Sequence, residues 1–161
     1  MKKPCLILSS LLAACALSST AFAEDLTLYS KVVKHVDAHN EAKDFGVGHR
    51  RIRENEIRLS EDGKVVGKAY SISSVTDIDS KAGTGTRVAL GVTELPKGTI
   101  WTEMTASDMP HKVSPKLGHQ HTGIILGGTR DCAGVTGTYD LEVRKDGKHV
   151  VTVFHIVRGK K

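Results

Sequence analysis

Two histidine-containing pairs, a few acids and phenols, and one arginine in a glycine run hold the chemistry that this sequence offers. His35 and Asp37 stand two residues apart in a strand-like run. Side chains at i and i+2 of a strand share a face, so an imidazole and a carboxylate sit together. On the wall of a binding cavity, Asp37 can orient a ligand while His35 moves a proton. On a solvated first-strand edge beside Lys34, His39 and Glu41, the same pair is ordinary surface. His119 and His121 repeat the spacing, with His111 in the preceding loop as a third nitrogen. Imidazoles suit zinc or copper, but no Cys-x-x-Cys or acidic partner stands at a spacing that closes a four-ligand site. The opposing, favoured reading is a polar loop entering a strand with no cofactor; a periplasmic metal-binding protein acting through His119 and His121 is an alternative function.

Tyr70, Trp101 and Tyr139 are polar-edged aromatics on strand-like segments. Each can line a pocket and donate an O–H or N–H to a ligand, or pack as ordinary core. Asp37, Tyr70 and Glu103 are the carboxylates and the phenol that proton transfer in such a pocket would use. Arg130 and Cys132 lie in the run Gly127-Gly128-Thr129-Arg130-Asp131-Cys132-Ala133-Gly134-Val135-Thr136-Gly137. Arg130 can clamp a carboxylate, with an exposed loop charge as the plainer alternative. Four glycines in that run exclude a helix or a regular strand and make a tight connection. The run opens no helix, so it lacks the N-terminal amides with which glycine-rich loops cradle phosphate. No Gly-x-Ser-x-Gly, Walker loop, dinucleotide fingerprint or His-Glu-x-x-His occurs, so hydrolase and nucleotide-dependent functions lose their main support.

The elements that must position these residues read as strands. β-branched runs recur at 26–37, 51–59, 64–77, 87–94, 99–107, 121–126, 135–144 and 149–157. Asp62-Gly63 and Asp146-Gly147 carry the two-residue hairpin signal, and Pro96 leads a turn. Short links between consecutive strands make an antiparallel meander, and closure into an eight-stranded barrel removes its two exposed edges. In the seventh run Val135, Gly137, Tyr139, Leu141 and Val143 form one face and polar residues the other. The last run is apolar on both faces, which suggests that its outer side is covered by another subunit.

The first 23 residues read as a secretory leader, leaving 24–161 as a single barrel domain. Lys2 and Lys3 precede a short apolar stretch, and Ala21-Phe22-Ala23 stands before Glu24-Asp25. Leu12-Ala13-Ala14-Cys15 competes as a lipid-attachment signal, so the expected place is the periplasm or the exterior, soluble or anchored through Cys15. Either way Cys132 is the one thiol beyond the leader, and burial as a small apolar side chain is its plainest use. Basic residues are dispersed apart from His49-Arg50-Arg51-Ile52-Arg53, and aromatics make up only 4% of the chain, so nucleic acid is not an expected partner.

With these residues in view, the chain resembles the allene oxide cyclase and dirigent barrels. The likeness rests on the glycine run, on the hairpin Ile57-Arg58-Leu59-Ser60-Glu61-Asp62-Gly63-Lys64-Val65-Val66-Gly67, on Gly98-Thr99-Ile100-Trp101-Thr102 and on the closing strand, and it covers most of 26–159. It implies an eight-stranded antiparallel barrel, assembly into trimers, and a small hydrophobic or amphipathic molecule held in the barrel. It also implies, as an alternative, cyclase or isomerase activity or the steering of a coupling reaction. Arg130 replaces the family's usual fourth glycine, and Cys132 stands where an aromatic is typical. Lys34-His35-Val36-Asp37 occupies the position of the cyclases' catalytic acid without matching its motif. The fold therefore carries over more safely than the activity.

Overall fold

A computed structural model describes residues 22–38, 46–79, 81–82, 84–110 and 120–159. The strands are β1 (Phe22–Ala38), β2 (Arg50–Arg58), β3 (Val65–Asp79), β4 (Thr84–Leu95), β5 (Gly98–Pro110), β6 (Gln120–Gly128), β7 (Val135–Val143) and β8 (His149–Arg158). Each pairs antiparallel with the next, and β8 returns to β1, so the sheet closes as the expected eight-stranded barrel. Among the described residues the only helical element is a 3-10 turn, Arg130–Cys132. β1 begins at Phe22, and its pairing with β8 runs from Phe22–Arg158 to Lys31–His149.

The two Asp-Gly turns are longer than the two-residue hairpins that the sequence suggests. β2 ends at Arg58 and β3 starts at Val65, with a register shift between Ile57 and Arg58. Between β7 and β8, Asp146 Oδ1 accepts hydrogen bonds from the Lys148 and His149 amides, each at 2.9 Å. That side chain substitutes for a cross-strand backbone bond and lengthens the turn. Pro96-Lys97, by contrast, joins β4 to β5 directly, since Leu95 and Gly98 are paired.

One end of the barrel is sealed. Leu28, Ile57, Ile100, Val135 and Ile156 are fully buried there, and Cys132 packs against them from the glycine loop. The Thr129 amide donates to the Thr99 carbonyl at 3.0 Å, and the Asp131 amide donates to the Lys97 carbonyl at 3.1 Å, tying the loop across the end. A Cβ on Gly128 would meet the Thr99 and Cys132 carbonyl oxygens at 2.4 and 2.5 Å, so only glycine allows this approach. Arg130, which takes the place of a glycine in the resembling family, has φ +52°, a left-handed conformation that costs a non-glycine residue energy.

At the other end the usual strand pattern is reversed. Arg51 is 5% exposed while its apolar neighbour Ile52 is 47% exposed. The same reversal turns Val36, Ile72 and Leu90 outward, and these are consecutive cross-strand partners with Ile52 on β1 to β4. In β1 it follows from a bulge between Val32 and Lys34. An extra residue swaps the faces of the strand beyond it. Val36 therefore points out, and His35 and Asp37 take the face of their partners Arg53 and Arg51.

Candidate functional site

The lumen holds a cavity of about 130 Å³ between the sealed end and the reversed one. Its floor is apolar: Leu28, Met104 and Phe154 come from β1, β5 and β8. Tyr139 on β7 completes it, with its ring 5.7 Å from that of Phe154. Gly123 on β6 makes room for this ring, because a Cβ there would lie 2.3 Å from Tyr139 Cε1. Burial pushes the Tyr139 hydroxyl up to about 12, against a smaller opposing effect of Thr102. It is therefore a neutral phenol at physiological pH, able to donate a hydrogen bond.

Above the floor the wall turns polar. Arg53, Asn55, Ser71, Ser73, Arg87 and His121 line it. Arg87 reaches Ser73 Oγ at 3.5 Å. At the rim Asp37 is gripped from several sides. Arg51 Nε donates to Oδ1 at 2.7 Å, His35 Nε2 lies 2.8 Å from Oδ2, and buried His49 lies 3.6 Å from Oδ1. Burial alone would raise the Asp37 carboxyl, but the hydrogen bonds from Arg51 and His35 outweigh it and hold the group at about 2. Burial and the neighbouring Arg51 and Arg87 cations lower Arg53 to about 10, with Asp37 acting the other way. The same desolvation, with Arg51, lowers Arg87.

The candidate residues from the sequence are scattered by the fold. Tyr139 lies in the lumen, and Asp37 and His35 stand on its rim. Tyr70 borders the wall, but it alternates with inward Ala69 and Ser71 and is 37% exposed, so its side chain joins the outer face. Trp101 is 47% exposed, and Glu103, two residues on, shares that outer side of β5. Arg130 is exposed on the sealing loop, and Cys132 beside it is buried. His121 is buried on the cavity wall; His111 and His119 lie outside the described residues. Among the described residues no group of three or more His, Cys, Asp or Glu is placed to hold a metal ion.

Arg51, Arg53 and Arg87 are the lumen residues that sequence reasoning passed over. The i, i+2 spacing of Arg51 and Arg53 puts them on one face, but with apolar Ile52 between them hydrophobic alternation gives no sign that this face is the inner one. The wall also has a seam. β5 and β6 pair only from Ile100–Gly128 to Glu103–Ile124, although β5 continues to Pro110. Beyond Glu103, the described part of β5 is held only by β4.

No family model and no curated protein matches the chain. Solved structures do. A pyocyanin demethylase is 18% identical, with a TM-score of 0.64 over 83% of this chain and 99% of that one. AbnU, an exo-specific intermolecular Diels-Alderase, is 14% identical with a TM-score of 0.64, over 86% of this chain and 98% of that one. The pterocarpan synthase dirigent protein GePTS1 is 13% identical with a TM-score of 0.64, over 96% of this chain and 98% of that one. The chain thus has the closed eight-stranded barrel fold that dirigent proteins share with these enzymes, as its glycine run and hairpins suggest.

Proposed function

We propose that the chain binds a small amphipathic molecule in the barrel lumen. The observation that carries this reading is the cavity, whose apolar floor of Leu28, Met104, Tyr139 and Phe154 passes into a polar wall. Its volume of about 130 Å³ sets the scale of the ligand. That is close to the roughly 150 Å³ cavity that takes benzene, so one ring or a short chain fits without rearrangement. The activities of the three similar proteins differ, so the shared fold selects a lumen and not a reaction.

The test is amide chemical-shift perturbation with small phenolics and short fatty acids. Trp101 faces outward and is a poor reporter of the lumen. Shifts confined to residues of the inner wall are expected, and they should vanish in Ala89→Phe, which places a ring in the cavity. Unchanged binding by that variant would reject the lumen as the site.

A second reading is an isomerase, a cyclase or a protein that steers coupling. Tyr139 supports it, as a neutral donor placed to polarise a carbonyl. Asp37 supports it poorly, because a carboxylate held near 2 is a weak base at neutral pH. Binding and orienting therefore outrank proton transfer.

The outward apolar row Val36, Ile52, Ile72 and Leu90 supports assembly of copies through β1 to β4, in keeping with the trimers that the resemblance implies. The two lysines, the apolar run and Ala21-Phe22-Ala23 support action outside the cytoplasm.

A further inference from the structure

We propose that Asn55 selects lumen ligands that carry a neutral hydrogen-bond donor, so that the ligand class is an apolar ring or short chain bearing a hydroxyl or an amide N–H. This rests on the reading of the lumen as the binding site and adds the functional group of what enters it.

The register isolates the Asn55 carboxamide. On β2 it pairs with Val32 of β1 on one side and with Ala69 of β3 on the other. All three line the cavity. Its cross-strand neighbours on the inner face are thus apolar and offer no proton. Along β2 the same face continues as Ile57 and Arg53, and neither supplies a hydrogen bond to the oxygen. Asn55 Oδ1 is buried and has no hydrogen-bond partner among the described residues. Other polar groups of the wall are engaged with one another: Ser73 with Arg87, and Thr102 with Tyr139.

A buried acceptor left without a donor is costly. Water can serve this oxygen until a ligand fills the cavity of about 130 Å³ and displaces it. From then on the ligand must supply the proton. An O–H or N–H restores the bond, whereas a hydrocarbon of the same shape leaves the oxygen stripped and is discriminated against for that reason. A half-turn about χ2 brings either edge of the carboxamide to the lumen, so the oxygen can meet the ligand. The donor has to be neutral, because Arg53 lines the same cavity and an ammonium beside it would meet a like charge. The apolar body would lie toward Leu28, Met104 and Phe154.

The test measures phenol, anisole, toluene and benzylamine against the full native chain and Asn55→Leu, by calorimetry and amide shifts at pH 7. Phenol donates and accepts a hydrogen bond, anisole only accepts, and toluene does neither. The phenol-to-toluene affinity ratio is expected to fall at least about tenfold in Asn55→Leu, the scale of a bond lost at a buried acceptor, while the anisole-to-toluene ratio changes by less than about threefold. Benzylamine should bind the native chain more weakly than phenol. Without ligand, Asn55→Leu should be at least as stable to heat as the native chain, since an apolar side chain of similar size replaces an unsatisfied polar one. A fold weakened or lost in that variant would show that the carboxamide is satisfied inside the protein, and would overturn the selection. An unchanged phenol-to-toluene ratio overturns it too and leaves lumen binding standing. Anisole falling together with phenol assigns the effect to the amide N–H and overturns the need for a donor. Benzylamine binding as tightly as phenol overturns the neutrality. Absence of lumen shifts with every probe overturns the binding reading together with the selection.

Discussion

The two ends of this barrel obey the same strand alternation and use it for opposite purposes. At the sealed end the inward face is Leu28, Ile57, Ile100, Val135 and Ile156, and the glycine loop is fastened across it. At the reversed end the inward face is Arg51, Arg53, Ser71, Ser73 and Arg87, and the aliphatic side chains of the same strands face outward. Burial at the first end is repaid by removing apolar surface from water. At the second end it works against the charges it encloses. Stability is thus concentrated at one end, and the polar groups that the proposed ligand would meet at the other.

Ile100→Ala tests the first half of that contrast and should have the largest effect. Ile100 has no exposed surface and sits under the loop that seals the end. Truncating a buried isoleucine costs about 2–5 kcal/mol. Denaturant unfolding should show that loss, while the folded fraction keeps its preference among ligands. A loss of selectivity without a loss of stability would mean that the two ends are not separate in role.

Asp37→Asn probes the other end. The Asp37 carboxyl is lowered from 3.8 to about 2, burial being outweighed by Arg51 and His35. A depressed value stabilises the fold above the unfolded pKa and loses that contribution as pH falls through the folded one. The contribution is on the order of 2 kcal/mol at neutral pH, lost between about pH 4 and pH 2. The asparagine variant should be less stable at pH 7, and its stability should fall less steeply over that interval. Parallel acid-unfolding profiles for the two proteins would show that the grip of Arg51 on Asp37 adds nothing.

Leu90→Glu carries the comparison from the ends to the faces. Leu90 is 49% exposed in the row formed with Ile72, Ile52 and Val36. If copies pack through this row, the native chain sediments as an oligomer and the variant as a monomer with unchanged thermal stability. A native monomer at micromolar concentration rejects the packing.

The fold was legible where pattern and structure coincide. The alternation of Val135, Tyr139 and Val143 against Thr136, Thr138 and Asp140 reads directly as one buried face, and these inward residues are buried. The glycine run reads as a closing connection, since close backbone approach at Gly128 demands the missing side chain. The site was not legible, for one physical reason. Alternation tells which residues share a face, and hydrophobicity is then used to decide which face is inside. On β1 to β4 near the rim that second step fails, because Val36, Ile52, Ile72 and Leu90 are outside and arginines and serines are inside. The β1 bulge that reorients Asp37 leaves no mark in the order of Val32, Val33 and Lys34. Tyr139 was within reach, being on the inward face of an unambiguous strand; Trp101 stands on an outer face shared with Thr99, Glu103 and Thr105, and Tyr70 on one shared with Lys68 and Ile72.

The smallest expected effect is at the seam where β8 closes onto β1. His155 faces outward there, with Nδ1 2.9 Å from Asp25 Oδ1 and Nε2 3.1 Å from Asp140 Oδ2, so one imidazole joins strands β1, β7 and β8. The hydrogen bonds to Asp25 and then Asp140 raise it above its ordinary value of 6.5. A raised value contributes stability that is complete below the unfolded pKa and is lost as pH rises through the folded one. The direction is thus opposite to that of Asp37, which weakens the fold in acid. The group is exposed, so the contribution is small and screened by salt. NMR titration of the His155 ring should give a midpoint above 6.5 that falls in Asp140→Asn and falls again when Asp25→Asn is added. A midpoint at the ordinary value in the native chain would mean that closure of the barrel at this seam owes nothing to the His155 contacts and rests on the ten backbone pairs between β1 and β8 and on the Glu24–Arg158 ion pair.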